Sequence, residues 1–341
     1  MSTQRPDGPR SRPTIATVAE AAGVSIATVS RVMSGSSKVK QELADRVHEA
    51  ADQLAYRPSR AARGLALGSL RNIGVILPDL TNAYFFDVVN EMHRGAAENG
   101  YRMLVADSNG DPDEELNTAL DLLGQVDGLV LLSSRIPTAG LKQLARREAP
   151  VVLVNRIELG VDLPMVAADN FSPMMQLCSH LAQLGHTRAV YLGGSEFAWQ
   201  NRERWRAVQS SAGFGLQVTH VSADGTVEGA HAAVPEALEH DPTALICFND
   251  LSAIGAISAL RDAGLSVPED ISVTGFDDIV LARHIAPALT TVTSPKVQLG
   301  RRAWDLMRVM LDTDERPESP EPLSAEVVLR ASTGPARPPR G

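Results

Sequence analysis

Gly23-Val24-Ser25-Ile26-Ala27-Thr28-Val29-Ser30-Arg31-Val32-Met33 decides how the rest of the chain is read. It follows a short alanine-rich stretch, Thr17-Val18-Ala19-Glu20-Ala21-Ala22. Gly23 can adopt positive φ at little cost, which a sharp turn between two helices requires. Ser25 is a natural N-cap, since its hydroxyl can accept a backbone N–H two or three residues on. Val29, Val32 and Met33 recur at helical spacing and can pack back on Val18 and Ala22. That leaves Ile26, Ala27, Ser30 and Arg31 for the outer face. The spacing predicts a helix-turn-helix whose second helix offers its first turns to a DNA major groove. Read alone, the stretch also fits an ordinary helical hairpin in a larger bundle.

The 341-residue chain has a net charge of −9, which argues against nucleic-acid binding until it is divided. The first 68 residues hold ten Lys and Arg against six Asp and Glu, a surplus of +4, and the remainder carries −13. A small basic head on a large acidic body fits a DNA-binding domain joined to one that does not touch DNA. A merely solvated surface would count the same way, so charge alone does not decide. No run of about 18 apolar residues exists, so no membrane span is expected. Residues 1–13 are polar and lack the apolar stretch of a secretory signal, so a cytoplasmic protein is expected. Cys178 and Cys247 lie far apart in apolar contexts and read as reduced core thiols, not as a disulfide or metal framework.

Residues 1–13 are expected to be disordered. Thr14 can cap the first helix, and a third helix is predicted over 41–54, with Leu43, Val47, Ala50, Ala51 and Leu54 at core spacing. Tyr56-Arg57-Pro58 closes this head (14–58), because Pro58 disfavours helix in the residue before it. Residues 59–70 are helix-prone yet have little in their own domain to pack against. Helices that short are marginal in water, so this segment is expected to order only against a partner; a plain linker is the alternative. From Asn72 the pattern changes. Apolar runs of strand length at 73–78, 103–106, 128–132 and 151–154 alternate with helical stretches at 86–99, 114–123 and 141–147. A second series places helices at 174–184, 202–211, 229–239 and 252–263, and strands at 189–192, 217–221, 244–248 and 272–275. Continuous apolar strands between amphipathic helices indicate parallel sheets covered on both faces. Two doubly wound parallel-sheet subdomains in tandem are therefore expected over 71–333, one from 71–168 with 295–322 and one from 169–294 with 323–333. A disordered tail is expected at 334–341. Such folds bind ligands outside the C-terminal ends of their strands, and two of them facing each other form a cleft for a small molecule.

Several ordered motifs carry a family likeness. The segment from Thr14 to Val32 resembles the head of the lactose/galactose repressor (LacI-type) family, and Tyr56-Arg57-Pro58 with Ala61-Ala62-Arg63-Gly64-Leu65-Ala66 resembles its hinge. Ile73-Gly74-Val75-Ile76-Leu77-Pro78-Asp79-Leu80-Thr81-Asn82-Ala83-Tyr84-Phe85 is similar to its first core strand and loop. Asp127-Gly128-Leu129, Phe248-Asn249-Asp250 and Val273-Thr274-Gly275-Phe276-Asp277-Asp278 continue the match, which runs in order over about 14–333. The resemblance implies an all-α helix-turn-helix head on an α/β periplasmic-binding-protein-like core. It further implies a repressor that binds a palindromic double-stranded operator as a homodimer and is switched by a small-molecule effector, a sugar or sugar derivative. Ile26 and Ala27 then occupy base-discriminating positions, able only to touch thymine methyls or close space, and Arg31 is the more specific reader, bidentate to guanine. Ser25, Thr28 and Ser30 are phosphate contacts or caps, and Tyr56 and Arg60 complete the DNA-binding set. Leu65 is the apolar wedge at the operator centre. Lys40 stands where the family usually has a Ser or Thr cap, and Ser34 where it often has Asn.

For the effector cleft the resemblance nominates Arg204 and Asp250 as polar anchors, with Asn249, Arg156, Asp277, Asn82, Tyr84 and Phe85 nearby. Two readings are open for each anchor: Asp250 could instead cap the helix beginning at Ser252, and Arg204 could be a surface residue. Trp199 could stack on a sugar face or belong to the core. Gly225 stands where the family often has an aromatic, so the usual ring-stacking group is missing. A charged effector stays open, since residues 201–206 are rich in charge. An exported sugar-binding protein of the same two-lobed fold would need a signal peptide and no head; this chain has the reverse. An enzyme is disfavoured. Gly213-Phe214-Gly215 lacks the third glycine of a dinucleotide fingerprint, no phosphate-binding loop motif occurs, and no metal-ligand or Ser-His-Asp pattern stands out. No cofactor is expected, and His180, His186 and His284 read as structural or effector-side groups.

Overall fold

Three short helices build the N-terminal unit of the computed structural model, which describes residues 13–33, 39–56, 69–313 and 315–337. α1 (Ile15–Ala22) starts at Thr14, whose hydroxyl accepts the Thr17 N–H while the Thr17 hydroxyl oxygen accepts the Thr14 N–H at 2.9 Å. This reciprocal cap satisfies two donors that the first turn leaves orphaned. α1 ends at Gly23, at φ 62°, with the N–H groups of Gly23 and Val24 returning to the carbonyls of Glu20 and Ala19. Only a residue at ease in the left-handed region closes a helix this way. α2 (Ile26–Met33) leaves the turn at 104° to α1, and α3 (Gln41–Gln53) covers both. Val18, Val29 and Val47 are fully buried where the three meet. Leu54 departs from expectation: the helix ends at Gln53 and Leu54, at its C-cap, is exposed rather than part of the apolar stripe. The segment 57–68, with Arg60 and Leu65, lies outside the described residues, as do 1–12, Ser34 and 338–341.

The second unit spans Asn72–Gly341. β1 (Asn72–Leu77), α4 (Tyr84–Glu98), β2 (Arg102–Asp107), α5 (Pro112–Leu122), β3 (Gly128–Leu132), α6 (Thr138–Ala145), β4 (Val151–Val154) and β5 (Met165–Val166) form a parallel sheet in the order β2-β1-β3-β4-β5. Every residue of β3 and β4 is buried, which is why these strands read as unbroken apolar runs. α7 (Ser172–Gln183), β6 (Arg188–Leu192), α8 (Trp199–Ser210), β7 (Gln217–Val221), α9 (Val227–Glu239), β8 (Ala244–Cys247), α10 (Asp250–Asp262) and β9 (Ser272–Thr274) repeat the plan in the order β7-β6-β8-β9. Strand order reverses between β1 and β3 and again between β6 and β8, and a crevice opens at such points outside the strands' C-terminal ends.

β10 (Thr291–Thr293) pairs antiparallel with β11 (Glu326–Val328), and α11 (Lys296–Thr313) lies between them in sequence. This helix is not among the elements expected from the sequence. It packs along α4, where Gly95 admits the Trp304 ring: a Cβ there would come within 2.4 Å of it. Several core helices begin two or three residues earlier than periodicity predicts. The first turn of α8, Trp199-Gln200-Asn201, is buried but partly polar, which interrupts the apolar pattern. Residues 334–337, expected to be disordered, are tied down. Gly334 N–H donates to Ser272 Oγ at 3.0 Å, Ala336 N–H to the Leu184 carbonyl, and Arg337 pairs with Asp241. Among the described residues no single helix is long and apolar enough to cross a membrane. Cys178 and Cys247 are buried thiols.

Candidate functional site

The exposed face of α2 carries Ile26, Ala27 and Arg31, with Ser30 half-buried beside them. Ile26 is 52% exposed, a large apolar side chain held out of a core that takes in Val29 and Val32 on the same helix. Ser25 Oγ accepts the Thr28 N–H at 3.1 Å, and the two hydroxyls meet at 2.9 Å, so this pair caps the helix. Tyr56 is half-buried against the head's core. Arg46, which sequence reasoning passed over, reaches from α3 to the Ala22 carbonyl and locks the turn that orients α2.

In the second unit, loops at the C-terminal ends of both sheets enclose a cavity of about 450 Å³ that continues into a smaller chamber of about 40 Å³. Asn82, Phe85, Arg135, Phe248 and Asn249 line both, and Tyr84, Ser133, Asn155, Gln200, Arg204 and Asp277 line the inner one. Six nominated residues are thus brought together: Asn82, Tyr84, Phe85, Arg204, Asn249 and Asp277. Arg204 is their hub. Its guanidinium donates to Asn170 Oδ1 at 2.9 Å, to the Phe248 carbonyl and to Asp277 Oδ1 at 3.3 Å, and lies 3.6 Å from the Phe276 ring centroid and 4.8 Å from that of Phe248. It is buried, not a surface residue of its helix. Burial pushes the Asp277 carboxyl upward, while Arg204 and Lys296 draw it back. Asn249 caps α10 by accepting the Ser252 N–H at 2.8 Å, and its amide donates to the Gly225 carbonyl. Burial raises the Tyr84 phenol well above its ordinary range, so it stays neutral.

Three non-glycine residues on the wall of the inner chamber hold positive φ: Ser133 at 53°, Asn155 at 57° and Asp277 at 112°. Such backbone costs about 1–3 kcal/mol and persists where surrounding structure enforces it. Gln200, on α8, donates to Ser133 Oγ at 2.9 Å and to the Asn155 carbonyl, joining the two lobes across the chamber. Phe248 supplies an aromatic surface. Gly225, at φ 91°, leaves it room, since a Cβ there would stand 3.1 Å from the ring.

Three nominations are corrected. Asp250 turns both carboxylate oxygens away from the cavity, to the Thr291 hydroxyl and the Ile279 N–H. Nor does it cap α10, a role Asn249 takes. Burial first, and then neighbouring Asp277, pushes the Asp250 carboxyl up to about 8. Arg156 is buried but serves the loop after β3, donating to the Ser134 and Ile136 carbonyls and pairing with Glu158. Trp199 is buried at the start of α8, outside the lining of both chambers. Likewise His186 and His180 serve the C-terminal segment, His186 with Thr243, Ser272 and the Gly334 carbonyl, and His180 with Thr333. Ser133, Arg135, Asn155 and Gln200 were missed. Each sits in a short polar stretch beside a strand end or a helix start, with no spacing that marks it as part of a site.

The profile of the bacterial regulatory proteins of the lacI family matches residues 14–59, and that of the periplasmic binding protein-like domain matches 178–333. The HTH-type transcriptional repressor CytR of Escherichia coli strain K12 is 32% identical over 328 residues, spanning 94% of this chain and 96% of that protein. The chain belongs to the lacI family. Solved structures similar to this lacI-family chain include the lac repressor dimer bound to operator and the anti-inducer ONPF, with a TM-score of 0.77 and 25% identity over 94% of this chain and 99% of that one. The regulator CelR in complex with cellobiose has a TM-score of 0.70 and 27% identity, over 94% and 100%. A lacI-family chain is a DNA-binding transcriptional regulator and not an enzyme, and the head and two-sheet core are the two parts its family joins.

Proposed function

We propose that this lacI-family regulator is a repressor that binds a palindromic operator as a homodimer and is switched by a small molecule, a sugar or sugar derivative, held in the cavity of its core. The observation that carries the reading is that one chain joins a head with an exposed Ile26-Ala27-Arg31 face to a cavity whose polar wall centres on Arg204, Asp277 and Asn249. Arg31 reads a guanine, Ile26 and Ala27 meet thymine methyls or close space, and Ser30 faces the backbone. Ser25 and Thr28 cap the recognition helix. Residues 59–70, with Arg60 and Leu65, order on DNA as a hinge between the head at 14–58 and the core at 71–333, and Leu65 wedges the central base step. An effector with hydroxyl groups finds directed partners in Asp277, Asn249 and Asn82 and an apolar face in Phe248. Leu104 and Val105 on the edge strand β2, with Val280 and Leu281, are exposed apolar surface of the kind a second copy covers. The protein acts in the cytoplasm, where its operator is.

Selection of bound duplexes from a random DNA pool, with and without a mixture of sugars and metabolites, tests this reading. A recovered palindrome whose enrichment changes with one additive supports it. No enriched sequence under either condition overturns it.

A further inference from the structure

Arg135 stands apart from the other cations of the core. It follows β3, lines both chambers, and its Nη1 is enclosed with no hydrogen-bond partner. Among the described residues no carboxylate lies within ion-pair distance of its guanidinium. The nearby acid, Glu115, uses Oε2 to accept the Arg135 backbone N–H at 2.7 Å. Arg204 is taken up by Asp277 and Arg156 by Glu158. Of the two arginines that line the inner chamber, Arg135 alone makes no ion pair, although the buried Glu115 carboxyl lies near enough to favour its charge. Burial holds its pKa down to about 10, so it remains a cation at neutral pH. A desolvated, unpaired cation is costly, and a bound anion relieves that cost.

A second feature points the same way. The N-terminal turns of α4, α8 and α10 present Tyr84, Gln200 and Asn249 to the inner chamber, and helix N-termini favour negative charge. The inner chamber holds one acid, Asp277, already paired with Arg204, while Asp79, Asp107 and Asp224 line the outer cavity, where each accepts a backbone N–H from Thr81, Leu80 or Thr226. The inner lining thus has two arginines against one carboxylate, and the outer wall is richer in acids. A volume of about 40 Å³ suits one small charged group with the rest of a ligand outside it.

We propose that the effector carries an anionic group, a carboxylate or a phosphate, which Arg135 receives at the inner end of the cavity. This rests on the reading of the cavity as an effector site. The effector class is then an acidic or phosphorylated sugar derivative rather than a neutral sugar. Its anion takes a bidentate, charge-assisted contact from the guanidinium, and its hydroxyls face the outer wall.

The test uses the full chain, with thermal unfolding followed at constant ionic strength during titration with sodium phosphate, sodium acetate or sodium chloride. Phosphate stabilises folded proteins in general, so the quantity read is the difference between the wild type and Arg135→Gln. A saturable rise in Tm with phosphate marks a phosphate-bearing effector, and one with acetate a carboxylate. Either is expected to vanish or weaken on the order of tenfold in Arg135→Gln, and to persist in Arg261→Gln, at the far end of α10. Should Arg135→Gln fail to fold, Arg135→Lys, which keeps the charge but loses the bidentate fork, is expected to bind several-fold more weakly. No saturable rise with either anion, or the same rise in the Arg135 variants, overturns the proposal. Operator binding measured alongside separates the two ideas. Anion binding at Arg135 that leaves operator affinity unmoved retains the anion site and removes the effector reading. A neutral sugar that moves operator affinity, with neither anion bound, does the reverse.

Discussion

Arg204 makes the inner chamber possible, because one guanidinium meets an amide, a carbonyl and a carboxylate while two aromatic rings flank it. Arg204→Ala leaves Asp277 buried beside Lys296, whose ammonium is already given to the Asp277 and Asp278 carbonyls. Losing one partner of a buried ion pair costs about 3–5 kcal/mol, so the urea midpoint of the core is expected to fall accordingly. Arg204→Lys should not restore it, since an ammonium lacks the planar fork; a restored midpoint would count against the hub role. Asp250 carries a pH signature. Its folded-state pKa of about 8 lies above the unfolded value of about 3.9. Its stabilising contribution is therefore complete below about pH 4 and is lost as pH rises through about 8. Unfolding midpoints measured at pH 5, 7 and 9 are expected to fall with pH, and the fall should be shallower in Asp250→Asn; equal slopes in both proteins would reject the assignment. On the head, Arg31→Ala is expected to lose about 1–3 kcal/mol of discrimination at one base pair, read by competition between operator variants. An unchanged sequence preference would remove Arg31 as a base reader.

At the scale of the element, two helices of the head show what caps contribute. α1 has a reciprocal Thr14–Thr17 cap at its start and a left-handed glycine at its end. α3 begins at Lys40, which adopts the extended N-cap backbone but makes no side-chain cap bond. Lys40→Ser is therefore expected to stabilise α3 by about 1 kcal/mol. Amide exchange along α3 in the full chain should slow roughly fivefold; exchange as fast as in the wild type would show that another contact already satisfies the first turn. The strands behave differently. β3 and β4 are buried throughout because helices cover both faces of the sheet, so their order comes from burial and not from local bonds.

At the scale of the whole molecule, the two lobes of the core meet through polar contacts as well as a shared apolar cluster. Gln200 joins its lobe to Ser133 and Asn155 of the other. Gln200→Ala is expected to lower core stability by about 1–2 kcal/mol and to weaken effector binding in proportion to the closed fraction lost. Small-angle scattering should show a larger radius of gyration for the variant without effector, and an unchanged radius would place closure elsewhere. The sequence by itself determined the head, since Gly23, Ser25 and the Val18–Val29–Val32 spacing lie within sixteen residues and turn and cap chemistry is local. It determined the alternating core too, because strands covered on both faces must be apolar along their length. Only the tertiary structure decided the rest. Asp250 and Asp277 both follow strands and look alike in sequence, yet one turns to Thr291 and Ile279 and the other to Arg204. The unpaired guanidinium of Arg135, the Gln200 clasp and the ordered residues 334–337 likewise depend on partners tens of residues away. Those pairings arise when strand ends from two sheets converge, and a side chain's direction at that convergence leaves no trace in local spacing.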